Sequence, residues 1–142
     1  MDPTRRPVGA VPVDELLARV RSRIERVEPV EAWRRLADGA LLVDTRPAEQ
    51  RDRDGAVPGA VVIDRNVLEW RLDPASPDRL SQVTGYDLEV LVLCNEGYSS
   101  SLVADTLCTL GLTRTVDVIG GFVAWAASGL PIVEGRTDEA AA

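Results

Sequence analysis

The chain has 142 residues, of which 45% are hydrophobic and 27% charged, and its formal net charge is -7. This composition is typical of a globular protein of one domain, and the negative charge argues against nucleic acid or an anionic membrane as a partner. The chain has no histidine and no lysine, and its two cysteines are Cys94 and Cys108. A Cys-His pair, Schiff-base chemistry and an ordinary zinc site are therefore excluded, so we expect neither a metal nor a cofactor.

Targeting signals are not apparent in the sequence. No apolar run approaches the ~20 residues that span a bilayer, and the first six residues are not followed by an apolar signal core. We therefore expect a cytoplasmic protein.

Residues 1–12 show no periodicity and are predicted to form a loose tail. Apolar residues at helical spacing then predict an amphipathic helix over 14–27, with Asp14 as its N-cap. The charged face of that helix includes Arg21, Arg23 and Arg26 and is interpreted as solvated. A second short helix is predicted over 29–36.

Four short apolar runs predict strands over 40–43, 60–63, 89–93 and 115–119, and a last helix is predicted over 121–127. Near-continuous apolar strands that alternate with helices indicate a central parallel sheet covered on both faces, which is a three-layer α/β/α fold. We divide the chain into an N-terminal tail and helix over 1–27, a single domain over 28–135 and a disordered tail over 136–142.

The run over 89–93 ends at Cys94, which is followed by a polar, Gly-containing loop and a helical pattern. The backbone N–H groups of such a loop and of a helix N-terminus point into one hollow, which favours negative charge. Such a hollow favours the thiolate and would make Cys94 a nucleophile; the alternative is an inert cysteine at the end of a core strand. Asp44 and Asp64 also follow strands directly, so they should lie at the same edge of the sheet. Tyr98, within the loop, is expected to shape access to the thiol.

The second cysteine is not expected to pair with the first. Cys108 lies on the predicted helix, about 13 Å along its axis from the loop, whereas a disulfide needs Cα atoms within about 7 Å. Its apolar neighbours favour a role as a small core residue.

Four segments of the chain, in order, resemble those of the rhodanese-like (sulfurtransferase) domain family. They are the Asp-x-Arg-x-x-Glu pattern in 43–49, Gly-Ala-Val-Pro-Gly-Ala over 55–60, the cysteine loop over 94–100, and Gly-Gly-x-x-x-Trp over 120–125 with Gly-Leu-Pro over 129–131. The resemblance spans about residues 28–133 and implies a rhodanese-like fold, to which the helix over 14–27 would be an addition.

The resemblance also implies a sulfurtransferase that works through a persulfide. Cys94 would take a sulfane sulfur from a donor such as thiosulfate and pass it to a thiol or cyanide acceptor. The loop N–H groups would stabilise the persulfide anion; they belong to Asn95, Glu96, Gly97, Tyr98, Ser99 and Ser100. The expected partners are a small sulfur donor and a thiol acceptor, which includes a sulfur-carrier protein.

The loop departs from the family pattern Cys-Arg-x-Gly-x-Arg. Asn95 and Ser99 stand at the arginine positions, and Glu96 adds a negative charge. Each lost charge-assisted pair removes about 1.5–3 kcal/mol of donor binding, which predicts inefficient use of thiosulfate. Arg65 and Arg71 follow the second predicted strand and are candidates for anion binding, with solvated surface as the alternative.

Several other side chains are interpreted as structural. Asp44 and Arg46 are predicted to brace one another, and Phe122 and Trp125 are predicted to lie in the core. For Trp70 an ordinary packing role is favoured over a wall of the pocket.

Two other functions compete with sulfur transfer. One is a catalytically weak regulatory or thiol-sensing module that binds a partner protein over the Cys94 loop. The other is a Cys-based phosphatase or arsenate reductase of related topology, which uses a loop one residue longer with an arginine where Ser100 stands. The absence of arginine from the loop disfavours the phosphatase.

Overall fold

The computed structural model describes residues 1–135, so the predicted tail over 136–142 lies outside the described residues. A sheet of five parallel strands forms its centre. The strands are β1 (Glu25–Val27), β2 (Leu41–Asp44), β3 (Val61–Val62), β4 (Val90–Leu93) and β5 (Thr115–Val118), in the order β1-β5-β4-β2-β3. The four predicted strands are confirmed, and the carboxyl ends of all five meet at one edge.

Helices cover both faces of this sheet. They are α1 (Val13–Arg21), α2 (Pro29–Ala37), α3 (Ala48–Asp54), α4 (Leu68–Leu72), α5 (Ser99–Thr109) and α6 (Gly121–Ala127), and a 3-10 turn over Arg65–Val67 leads into α4. Within the described residues, no helix is long and apolar enough to cross a membrane.

The central strand β4 shows why two helical layers are needed. Its side chains alternate between the two faces, and all four are buried. Val90 and Val92 pack in one core cluster with residues of α4 and α5, whereas Leu91 and Leu93 pack in the other with residues of α2 and α6. The predicted three-layer α/β/α architecture is confirmed.

The prediction of one helix over 14–27 is wrong. Helix α1 ends at Arg21, and residues 25–27 form the edge strand β1 beside β5. Val27 is buried and accepts a hydrogen bond from the Ile119 N–H at 2.9 Å. The apolar spacing of residues 25–27 is compatible with either a helix or a strand. Hydrogen bonding to the buried strand β5 determines that they form a strand. Asp14 is not the N-cap either, since Pro12 occupies that position.

Helix α1 packs against α5, with Leu17 and Val20 as its buried residues. Arg23 adds an ion pair to Asp105 of α5, with 2.7 Å between Nε and Oδ1. The N-terminal segment is therefore attached to the helix that begins beside Cys94.

The core predictions hold for Phe122 and Trp125 and fail for Cys108, and Trp70, for which an ordinary packing role is predicted, is mostly exposed. Phe122 and Trp125 are buried, and the Trp125 indole donates to the Pro131 carbonyl at 3.0 Å. Trp70 is 59% exposed, because α4 is short and its buried face is formed by Leu68 and Leu72. Cys108 is only partly buried and is not a member of either core cluster.

Candidate active site

Cys94 follows β4 directly and therefore lies at the carboxyl edge of the sheet, between the ends of β2 and β5. The loop over 94–98 leads into α5, which begins at Ser99. Both cysteines are free, and the Cys94 side chain is buried with 6% exposure. The thiol thus lies beneath a loop at the amino end of a helix, as the sequence predicts.

Three polar groups surround the Cys94 sulfur. The backbone N–H groups of Gly97 and Ser100 donate to Sγ at 3.1 and 3.4 Å. The Ser100 hydroxyl oxygen lies 3.2 Å from Sγ. Two N–H donors at the N-terminus of an eleven-residue helix favour negative charge on the sulfur.

Two glycines fix the shape of the loop. Gly97 has φ +88°, and a Cβ there would lie 2.7 Å from the Gly120 backbone nitrogen. Gly121 has φ +60°, and a Cβ there would lie 2.4 Å from the Cys94 carbonyl oxygen. This close approach lets the Phe122 N–H donate to that same carbonyl at 2.8 Å. The Gly-Gly turn at the start of α6 therefore packs directly against the backbone of the cysteine loop.

An open hollow of about 260 Å³ lies over the thiol. Its lining residues are Gln50, Cys94, Asn95, Glu96, Tyr98 and Ser99. Tyr98 is 59% exposed, which suits the predicted role in access. The Glu96 carboxylate is also exposed and would repel an anionic donor.

A larger hollow of about 500 Å³ lies at the amino ends of β4 and β5. Arginines and carboxylates line it, and they pair with one another, as Arg35 does with Glu25 at 2.7 Å. It contains no cysteine, so the smaller hollow at Cys94 is the candidate site.

The two aspartates that follow strands have structural partners. Asp44 and Arg46 form a fully buried ion pair, with 2.8 Å between Arg46 Nη2 and Asp44 Oδ2, which confirms the predicted brace. Arg46 also lies over the Phe122 ring, with its guanidinium carbon 3.8 Å from the ring centroid. Asp64 accepts the Asn66 N–H at 2.7 Å and so caps the turn that leads into α4.

The two arginines considered for anion binding are not part of the hollow at Cys94. Arg65 pairs with Glu69 at 3.1 Å and lines a separate hollow beside Arg46. Arg71 donates to the Asp78 carbonyl at 2.7 Å. The structure therefore does not place either guanidinium at the thiol.

The rhodanese-like domain family model matches residues 28–128. This chain belongs to the rhodanese-like domain family. It is 31% identical over 113 residues to a sulfurtransferase of Allochromatium vinosum, covering 78% of this chain and 95% of that protein. It is 30% identical over 108 residues to the thiosulfate sulfurtransferase GlpE of Haemophilus influenzae, covering 76% of this chain and 93% of that protein.

Solved structures show the same fold. A Rhodopseudomonas palustris protein of unknown function, named as a possible tyrosine phosphatase, matches with a TM-score of 0.80 and 28% identity, covering 92% of this chain and 99% of that one. The polysulfide-sulfur transferase of Wolinella succinogenes matches with a TM-score of 0.68 and 20% identity, covering 83% and 84% of the two chains.

An arginine from outside the matched family region reaches the rhodanese-like loop. Arg21, at the end of α1, donates from Nη2 to the Gly97 carbonyl at 2.7 Å and from Nε to Ser101 Oγ at 3.0 Å. Its guanidinium carbon also lies 5.7 Å from the centroid of the Tyr98 ring. The interpretation of Arg21 as solvated is therefore wrong, because local spacing does not show which distant loop a side chain meets.

A buried carboxylate lies behind the same loop. Asp117 of β5 is fully buried and accepts hydrogen bonds from the hydroxyls of Ser100 and Ser101. Arg26 of β1 pairs with it at 2.8 Å. The sequence carries one signal that points to Asp117, namely an acidic residue within an otherwise apolar strand, since buried carboxylates are rare unless paired.

Proposed function

We propose that this protein is a sulfurtransferase that carries a sulfane sulfur as a persulfide on Cys94. The observation that supports this most directly is the position of Sγ, which receives two backbone N–H bonds at 3.1 and 3.4 Å beneath an open hollow. Membership of the rhodanese-like family and the relatives named as sulfurtransferases support the same reaction class.

In the first step, the Cys94 thiolate attacks the outer sulfur of the donor. With thiosulfate, the S–S bond of the donor breaks, its electron pair leaves with sulfite, and the outer sulfur stays on the enzyme as Cys94–S–S⁻. The total charge is conserved, because the thiolate and the thiosulfate dianion give a persulfide anion and the sulfite dianion. The loop N–H groups are the donors that would stabilise the terminal sulfur anion.

In the second step, an acceptor attacks the terminal sulfur of the persulfide. Cyanide leaves as thiocyanate, and a thiolate leaves as a new persulfide; in both cases the Cys94 thiolate is regenerated. We propose that the acceptor is a thiol presented by a small molecule or by a sulfur-carrier protein, and the open hollow over Cys94 supports this.

The nature of the donor follows from the charges around the hollow. Asn95 and Ser99 line it where arginines are common in the family, and Glu96 lines it as well. Arg21 directs Nε to Ser101 and Nη2 to the Gly97 carbonyl, and it does not line the hollow. We therefore propose a less highly charged donor, such as a cysteine persulfide, in preference to thiosulfate.

Phosphatase chemistry fits the site less well. The Rhodopseudomonas palustris relative is named as a possible tyrosine phosphatase, but the loop from Cys94 to Ser100 contains no arginine to bind a phosphate dianion. Glu96 at the hollow would repel such a substrate.

The test is a turnover assay with cyanide as acceptor and either thiosulfate or a cysteine persulfide as donor. Wild type and Cys108→Ser are expected to form thiocyanate faster than donor and cyanide do without enzyme, with the persulfide as the better donor. Cys94→Ser is expected to show no rate above that background. Cys108→Ser is the matched control, because it removes the other thiol and leaves the loop intact. Turnover that persists in Cys94→Ser would refute the mechanism, and a reduced wild type that is inactive with both donors would favour the regulatory module.

A further inference from the structure

The polar network behind the Cys94 loop has a fixed hydrogen-bond direction. Asp117 Oδ1 accepts from the Ser100 hydroxyl at 2.6 Å, and Asp117 Oδ2 accepts from Arg26 Nε at 2.8 Å and from the Ser101 hydroxyl. A buried, ionised carboxylate can only accept hydrogen bonds. The single Ser100 hydroxyl proton is therefore directed at Asp117.

This direction decides what Ser100 offers to the thiol. Because its proton is used on Asp117, the Ser100 oxygen faces Sγ, 3.2 Å away, as an acceptor. An acceptor stabilises the S–H form and opposes ionisation, whereas the Gly97 and Ser100 N–H groups stabilise the thiolate. The Ser100 oxygen therefore favours the thiol form of Cys94, whereas the two N–H groups favour the thiolate.

The charged groups around the thiol come from several elements. Asp117 lies on β5 and is balanced by Arg26 of β1, and Arg21 of α1 is bonded to the loop itself. Glu96 lies exposed in the loop. From β2, Asp44 and Arg46 neutralise one another, and α3 and α6 contribute the neutral Gln50 and a Gly-Gly turn.

We propose that Asp117 is a positioning residue that holds Ser100 as an acceptor toward Cys94 and so restrains ionisation of the thiol, with Arg26 as its counter-charge. For the thiolate to be fully stabilised, the Ser100 hydroxyl must turn from Asp117 to Sγ. Asp117 then keeps Ser101 and Arg26 as donors to Oδ2, while the buried Oδ1 loses the Ser100 donor, and this cost restrains the turn. Arg26 precedes the matched family region, so the added N-terminal segment takes part in tuning the nucleophile.

The structure allows substitutions with opposite expected signs. In Asp117→Asn, the amide NH₂ donates to Ser100, the amide oxygen accepts from Arg26 and Ser101, and the Ser100 proton is free to donate to Sγ. In Arg26→Gln, the Asp117 charge loses its counter-charge while the two serine hydroxyls still hold it. The first change favours the thiolate, and the second opposes it.

The experiment is the rate of iodoacetamide alkylation of Cys94 as a function of pH, in a Cys108→Ser background that removes the other thiol. Asp117→Asn is expected to lower the pH midpoint of the alkylation rate by about one unit, which makes alkylation about tenfold faster at pH values below the midpoint. Arg26→Gln is expected to raise the midpoint. The matched control is Arg23→Gln, which removes an arginine–aspartate pair of the same segment without touching the serines and should leave the midpoint unchanged.

A merely structural role for the network would move both midpoints in the same direction, and that result, or no shift in either variant, would overturn the proposal. If Asp117→Asn does not fold, Ser100→Ala decides instead, because it removes the oxygen that faces Sγ: a lowered midpoint supports the proposal, and an unchanged or raised midpoint refutes it. The inference rests on Cys94 being the reactive thiol of the proposed function. Alkylation needs no sulfur donor, so the midpoints are measured independently of whether sulfur transfer occurs.

Discussion

Replacement of Gly97 by alanine tests how closely the cysteine loop packs against the Gly120 backbone. At φ +88°, an added Cβ costs about 1–2 kcal/mol in backbone conformational energy alone. That Cβ would also lie 2.7 Å from the Gly120 nitrogen, so one backbone segment must move, with a further cost of about 1–3 kcal/mol. We expect Gly97→Ala to lower the free energy of unfolding by about 2–5 kcal/mol in total.

The same movement shifts the Gly97 N–H away from the Cys94 sulfur. Loss of one such donor lowers the rate of related reactions by about 10²–10³-fold, so sulfur transfer should fall by a similar factor. Gly39→Ala is the matched control, because Gly39 has φ +107° and nothing lies within 4 Å of its added Cβ. Denaturant unfolding and thiocyanate formation measure the two effects. If Gly97→Ala is no less stable than Gly39→Ala and keeps full sulfur transfer, the account of the loop is refuted.

Three further predictions concern the arginines and the loop. Arg21→Ala should lower the free energy of unfolding by about 1–2 kcal/mol in denaturant melts and reduce sulfur transfer about tenfold, because Arg21 bonds to the Gly97 carbonyl and to Ser101. Arg19 forms only an exposed ion pair, so Arg19→Ala should change neither; equal behaviour of the two variants would show that Arg21 does not hold the loop. Ser99→Arg should raise kcat/KM for thiosulfate about tenfold or more, and an unchanged value would show that anion binding is not the deficit. The Arg23 guanidinium lowers the pKa of Asp105 below its ordinary 3.8, so their pair stabilises the fold at higher pH and is lost as the pH falls through the lowered value. Arg23→Gln should therefore be slightly less stable than wild type in denaturant melts at about pH 7, and a gap that does not shrink below pH 3.8 would contradict this.

Local pattern predicted most of the central fold. The apolar runs that became β2, β3, β4 and β5 are short and nearly continuous, which is how doubly covered parallel strands appear in a sequence. The helix over 121–127 has the bounds of α6, because a Gly-Gly turn begins it and a serine and a glycine follow its end. Where propensity, pattern and turn chemistry agree, the prediction held.

The edge strand was missed for a physical reason. Residues 25–27 are short, and their apolar spacing also suits a continuation of α1. Their conformation is decided by hydrogen bonds to β5, which is some ninety residues distant in the chain. A pairing over such a separation leaves no local signal.

The site was predicted in part. The position of Cys94 between a strand and a helix N-terminus follows from the pattern, and the structure places the thiol there. The two arginines could not be found in this way. Arg21 contacts the loop and Arg26 pairs with Asp117 behind it, and both come from a segment whose spacing predicts a solvated helix face. The place of Arg65 after the second predicted strand suggests the active edge of the sheet, but its side chain pairs with Glu69.

The measurement that tests the central claim most directly is the intact mass of the protein before and after incubation with a cysteine persulfide, and separately with thiosulfate. We expect a gain of about 32 Da, one sulfur atom, that a reductant removes and that Cys94→Ser abolishes. Cys108→Ser should still acquire the sulfur, since Cys108 lies along α5 and outside the loop. The absence of an adduct from both donors on a reduced protein, or an adduct that persists in Cys94→Ser, would contradict a persulfide on Cys94.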